Sequence, residues 1–147
     1  MIHFEISEEN IPSPKECATG NVKLGSDGIP YLFWGEKWSP ICGHWFWNDH
    51  EGAKTFCKEL GFPGGEVKRM RASYTEDSIA VGLCKSGEAI GSCTGKYNHY
   101  KTTTACKVGK RTKITISCDG HTQGTEKDSC AGIIKILLIF KEPNDIA

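Results

Sequence analysis

Five histidines and eight cysteines are the residues through which this chain of 147 amino acids could do nucleophilic or metal chemistry. Cys42-Gly43-His44-Trp45 sets a thiol two positions from an imidazole. A catalytic thiol needs a thiolate of lowered pKa and a base held in place by a third group. His44 and His50 flank the aromatic run Trp45, Phe46 and Trp47 and could be imagined as zinc ligands; His3, His99 and His121 are scattered. The plainer reading makes these histidines surface or packing residues, and the aromatics core and helix-entry packing. One or two of the aromatics could stay exposed as a stacking platform for a sugar or an apolar side chain. No strained serine elbow, no phosphate-cradling glycine loop and no paired-carboxylate motif stands out. The sequence gives no support for an enzyme, and no cofactor or metal is expected.

Structural zinc sites usually place two ligands on one tight turn, and no C-x-x-C pair occurs here. Cys17, Cys42, Cys57, Cys84, Cys93, Cys106, Cys118 and Cys130 are instead spaced like a disulfide framework. Disulfides persist in oxidising compartments, so an extracellular or secreted protein is expected, although Met1–Asn10 shows neither the basic nor the apolar region of a signal peptide. Eighteen basic and 18 acidic residues balance, which argues against a nucleic-acid partner. The run Ile133 to Phe140 is broken by Lys135 and too short for a transmembrane segment. The length fits one domain with extensions.

These residues have to be positioned by few elements. His3–Ile6 alternates like a short strand before Pro12 and Pro14, Asn21–Leu24 reads as a second, and Gly25-Ser26-Asp27-Gly28 as a turn. Tyr31–Trp34 and Lys37–Cys42 resemble two strands joined at Gly35-Glu36. One helix is expected from about His50 to Leu60, capped by Asn48 or Asp49 and closed by Gly61. Its Ala53, Phe56, Cys57 and Leu60 recur at helical spacing and form a buried face. From Gly61 to Cys106 the pattern is loop-rich, with a short strand candidate at Ile79–Cys84. Lys113–Cys118 alternates as a strand, Asp119–Asp128 is turn-like, and the β-branched run before Pro143 suggests a well-covered strand, with a helix as the alternative.

Trp38-Ser-Pro-Ile-Cys42, then Asn48–Phe62 with its Ala53, Cys57 and Leu60-Gly61, then Val81–Cys93 with Cys84, Glu88 and Cys93, followed by Cys106 and Cys118, occur in that order. Together they resemble a scavenger receptor cysteine-rich (SRCR) domain over residues 21–118. Eight cysteines alone allow roughly a hundred pairings. The resemblance implies three, Cys42–Cys106, Cys57–Cys118 and Cys84–Cys93. Phe62 stands where one subgroup has a further cysteine, so the three-bridge, group A-like subtype fits. Cys17 and Cys130 are left over and are inferred to pair, which would bring the terminal segments together. The implied partner for Cys42 removes it as a catalytic thiol. The expected fold is α+β: a small disulfide-stapled domain with a curved antiparallel sheet around one helix, extended by terminal strands. Its parts are an arm over 1–20, the SRCR-like domain over 21–118, and a C-terminal extension over 119–147.

Many SRCR domains hold a divalent cation through acidic residues just after the first cysteine and before the last. Here Gly43-His44 follows Cys42, Lys107–Ser117 contains no acid, and Asp49 with Glu88 would be a poor remnant. Loss of the cation site is expected. Lys96, Lys101, Lys107, Lys110, Arg111 and Lys113 form an acid-free basic stretch and are the ligand-binding candidates. They are either a solvated face or a site for polyanions such as sulfated or uronic glycans and acidic proteins. Glu5, Glu8 and Glu9 in the arm, with Ile134, Ile136, Leu138 and Phe140 in the tail, are candidates for contacts between copies. The resemblance implies an extracellular, non-enzymatic binding or adhesion module with a protein or glycan partner. The alternative is a structural subunit, a homo-oligomer or polymer, of a self-assembling filament or matrix. There is no N-x-S/T sequon, and Thr102–Thr104 could carry O-linked sugar.

Overall fold

The structure is a computed structural model that describes residues 16–93, 101–104 and 106–130. The arm strand, the apolar tail strand, Lys96 and the assembly candidates Glu5, Glu8, Glu9, Ile134, Ile136, Leu138 and Phe140 lie outside the described residues. Ala18–Ser129 forms one compact unit, while Cys17 and Cys130 belong to a second made of the terminal segments.

Within the compact unit, β1 (Val22–Leu24), β2 (Pro30–Trp34) and β3 (Lys37–Pro40) form an antiparallel meander. A two-residue strand, β6 (Lys127–Asp128), pairs with the outer side of β1, giving the order β3-β2-β1-β6. Ser129 reinforces this pairing: its N–H donates to the Val22 carbonyl at 2.9 Å and its hydroxyl accepts the Val22 N–H at 2.9 Å. The segment 119–129, read from sequence as part of an extension, therefore completes this sheet. Buried Val22, Leu24 and Leu32 alternate with half-buried Lys23, Tyr31 and Phe33, as in a sheet with one face on the core.

The one α-helix among the described residues, α1 (Glu51–Glu59), buries Ala53, Phe56 and Cys57. Its entry differs from the expected side-chain cap. Asn48–His50 is a 3-10 turn in which Asp49 has φ 52°, and His50 occupies the N-cap at φ 60° with no capping hydrogen bond from its side chain. The His50 ring is engaged elsewhere, Nδ1 accepting the Val67 N–H at 3.1 Å. At the other end Gly61 has φ +96°, with Phe62 N–H bonded to the Cys57 carbonyl and Gly61 N–H to the Lys58 carbonyl, each at 3.0 Å. This is a Schellman termination, the role for which glycine suits a C′ position.

The longest strand among the described residues is one the sequence pattern concealed. β4 (Gly65–Ala72) pairs antiparallel with β5 (Lys113–Cys118) to make a separate two-stranded ribbon. By contrast, Ile79–Cys84 is not a strand; Ile79 and Ala80 make only isolated bridges, to Ile41 and Thr102. Ile114 and Ile116 of β5 and Val67 of β4 face the helix, and these join Val22, Leu32, Ile41, Phe46, Phe56, Val81 and Ile90 in one core.

Four disulfides are present, Cys17–Cys130, Cys42–Cys106, Cys57–Cys118 and Cys84–Cys93. Among the described residues no cysteine is free. Cys57–Cys118 ties α1 to the end of β5, and Gly65 is needed beside it because a Cβ there would collide with the Cys57 sulfur. The fold is thus a small disulfide-stabilised α+β domain with antiparallel sheets. Among the described residues no helix is long and apolar enough to cross a membrane.

Candidate anion-binding face

The β4–β5 ribbon is irregular in a specific way. Val67 lies opposite Ile116 and Arg69 opposite Thr115, so Lys68 is an extra residue with no partner across the ribbon. The same occurs between the pairs Met70–Ile114 and Ala72–Lys113, where Arg71 is the extra residue. Bulges bend a strand and re-aim side chains, and here each one inserts a cation. Arg71 sits at φ 70°, a left-handed conformation that costs a non-glycine residue about 1–2 kcal/mol. Its guanidinium lies 4.8 Å from the Trp47 ring centre, and its carbonyl accepts the Arg111 Nε–H at 2.7 Å.

Trp47 in turn rests over Gly43 and Ile114, where any side chain at Gly43 would collide with both. The Gly43 N–H donates to the Thr112 carbonyl at 2.8 Å. The two segments that the SRCR resemblance would give a cation site therefore meet, and what they bring together is Gly43, His44, Arg111, Thr112 and Lys113. The His44 ring lies 4.6 Å from that of Trp45. Phe46 is fully buried, so it is not part of any platform, whereas Trp45 and Trp47 are half-buried.

The basic candidates separate into groups. Lys110 and Arg111 are exposed in the turn that leads into β5, and Lys113, the first residue of β5, is half-exposed. They join Lys68, Arg69 and Arg71 of β4, which are all exposed. Lys68 Nζ lies 3.4 Å from the Glu66 carboxylate at the start of β4; beyond that pair neither Val67–Thr75 nor Lys107–Cys118 contains an acid. Lys107 is held at the margin, its Nζ 3.4 Å from Asp77. Asp77 also accepts the Val108 N–H at 2.7 Å, and that bond and Lys107 hold its carboxyl below the usual range. Lys101 is turned inward: its Nζ donates to the carbonyls of Cys93 at 2.7 Å and Val81 at 3.4 Å, and lies 5.6 Å from the Trp34 ring centre. Burial lowers its pKa, against the pull of Glu88. It is a tether for the Cys84–Cys93 loop, not a surface ligand. The sequence reading missed Lys68, Arg69 and Arg71, although the run Lys-Arg-Met-Arg was there to be noticed; it sat in a stretch read as loop.

Beneath the ribbon Tyr74 joins the two sheets. Its hydroxyl donates to the Ile41 carbonyl at 2.8 Å and accepts the Ile114 N–H at 3.4 Å. Burial pushes its pKa far above the ordinary tyrosine range. On the far side of the domain, Glu59 accepts the Ile90 N–H at 2.9 Å and burial raises its pKa. It anchors the 3-10 turn Ile90–Ser92 to α1. A second unforeseen feature is the outer face of the meander, where Phe33 and Trp38 meet edge to face at 5.2 Å and Lys23 Nζ lies 4.8 Å from the Trp38 ring centre.

Two clefts adjoin the basic ribbon. One of about 380 Å³ lies between the Gly25–Gly28 turn, Lys68–Arg69 and the end of β5. Another of about 290 Å³ is lined by Lys113 and Ala72, and the two share Asp27, Arg69 and Thr115. Among the described residues no cluster of three or more His, Cys, Asp or Glu side chains could hold a metal ion. No family model, curated protein or solved structure matches the chain.

Proposed function

We propose that this chain is an extracellular, non-enzymatic binding domain of SRCR type that recognises polyanionic surfaces, sulfated or uronic glycans foremost, through the β4–β5 ribbon. The observation that carries the reading is the set of six cations on bulged β4 and on the turn and first residue of β5, with a single acid, Glu66, beside Lys68 at one end of the set. A cluster of one sign attracts and orients an oppositely charged partner even when the whole chain is neutral. Arg71 held against Trp47 and by Arg111 is fixed before any ligand arrives, which lowers the ordering cost of binding. The SRCR reading is supported by the ordered motif from Trp38 to Cys118 and by the bridge pairs, and the disulfides fit an oxidising compartment.

The test is binding to an immobilised sulfated polysaccharide over a range of salt concentrations. The wild-type chain binds and weakens steeply with salt. Lys110→Ala/Arg111→Ala/Lys113→Ala binds on the order of 100-fold more weakly, at about 1 kcal/mol for each cation near an anionic surface. A triple variant that binds like the wild type overturns the reading.

A further inference from the structure

We infer that the cleft beneath the Gly25–Gly28 turn is a subsite for a single anionic sugar residue, a uronate or a sulfated hexose, which deepens and rests on the polyanion-binding reading of the adjacent ribbon. Its volume of about 380 Å³ lies within the range of small-ligand sites. It opens into the second cleft through Asp27, Arg69 and Thr115, so a chain with one residue seated in it would continue past Lys113 onto the ribbon.

The walls are fixed. The Gly28 carbonyl accepts the Ile116 N–H at 2.9 Å, and a Cβ at Gly28 would lie only 3.4 Å from the Ile116 carbonyl, so the turn is seated directly on β5. Opposite it, the His121 ring is held by the Thr125 hydroxyl at 3.0 Å and by the edge of Phe62 at 5.3 Å between ring centres. The bulge at Lys68 places Lys68 and Arg69, consecutive in sequence, on the same cleft.

The mixture of charges selects the ligand chemistry. Arg69, and Lys68 on exchanging its exposed 3.4 Å contact with Glu66, offer partners for a sulfate or carboxylate. Asp27, which caps its own turn by accepting the Ile29 N–H at 3.1 Å, opposes a bare inorganic anion and favours a ligand that also carries hydroxyl donors. Ser26, Ser117 and Gln123 line the same space and can exchange hydrogen bonds with such hydroxyls. A sugar bearing one acid group satisfies both halves of this cleft; inorganic sulfate satisfies one.

The experiment is calorimetric titration of the disulfide-intact chain with a sulfated hexuronate–hexosamine disaccharide, alongside the neutral disaccharide and inorganic sulfate. The disaccharide is expected to bind, with the neutral sugar and inorganic sulfate at least ~10-fold weaker. Lys68→Ala and Asp27→Asn each weaken it by ~10-fold. Asp27→Asn keeps the oxygen that accepts the Ile29 N–H, and an unchanged thermal melt shows that the fold is retained. Lys110→Ala/Arg111→Ala leaves disaccharide binding within ~2-fold while weakening the polysaccharide. No disaccharide binding, indifference to both cleft variants, or inorganic sulfate binding as tightly as the disaccharide each overturns the subsite. Failure of the wild-type chain to bind the polysaccharide is the separate result that removes the polyanion-binding reading.

Discussion

The meander and the ribbon are built from the same kind of antiparallel pairing and use it differently. From Tyr31 opposite Pro40 to Trp34 opposite Lys37 the register of β2 and β3 is unbroken, and β1 with β2 is equally regular. β4 and β5 shift register twice within eight residues of β4. The regular strands alternate buried and half-buried residues, so any slip would turn Val22, Leu24 and Leu32 out of the core. β4 buries only Val67, so its register is free to break, and it breaks at Lys68 and Arg71. Order is strict where the strand packs the core and relaxed where it displays charge. The break at Arg71 leaves a non-glycine residue of β4 in a left-handed conformation.

The largest expected effect comes from cutting the ribbon off the helix. By loop-closure entropy, Cys57→Ala/Cys118→Ala, closing 61 residues, costs ~4 kcal/mol, and Cys84→Ala/Cys93→Ala, closing nine, costs ~2.5 kcal/mol. Urea denaturation of the two double variants measures both, and equal losses would contradict the ordering. Next is the joint between the sheets. Tyr74→Phe leaves the buried Ile41 carbonyl and Ile114 N–H without their shared hydroxyl and is expected to cost ~1–2 kcal/mol. The variant also changes the alkaline limb of stability. A tyrosine whose pKa is raised by folding contributes stability that is fully present below its unfolded pKa, about 10, and is lost as pH rises through the folded value. Tyr74→Phe removes that component, so its stability falls less steeply above about pH 10 than that of the wild type.

Smaller in stability, but more pointed, is Arg71→Gly. It relieves a left-handed penalty of ~1 kcal/mol and forfeits a Trp47 contact of ~0.5–1 kcal/mol, so the melting midpoint barely moves while affinity for a sulfated polysaccharide drops. A variant that melts much lower would make Arg71 a structural residue. The smallest effect is the matching control on the meander. Lys23→Ala/Lys37→Ala removes one cation from β1 and one from β3 and is expected to leave polysaccharide affinity within ~2-fold. A loss as large as that of the ribbon variants would erase the distinction between the two regions.

The meander was legible because its residues announce their periods. Asn21 to Leu24, Tyr31 to Trp34 and Lys37 to Cys42 are separated by the turn signals Gly25 to Gly28 and Gly35-Glu36; in the ribbon, only Lys113 to Cys118 shows a comparable alternation. The helix was legible from Ala53, Phe56, Cys57 and Leu60, but its start was not, because His50 serves β4 through Val67 and leaves the entry to a backbone turn. β4 was hidden for the reason that it matters. Two inserted residues scramble any period of two, and an exposed strand lacks the apolar alternation by which strands are read. Half of the basic face was therefore visible as the stretch from Lys107 to Lys113, and half emerged only when Lys68, Arg69 and Arg71 were brought beside it. Lys101 shows the converse: sequence places it with the basic stretch, but packing turns it toward the Cys93 and Val81 carbonyls.

The proposed binding surface is the bulged ribbon. Amide chemical-shift mapping of the disulfide-intact chain, titrated with a sulfated oligosaccharide, tests it residue by residue. Perturbed amides are expected to concentrate in Lys68–Ala72 and Lys110–Thr115, with the β1–β3 meander unmoved. Perturbations centred on β1–β3, or none at saturating oligosaccharide, would contradict it.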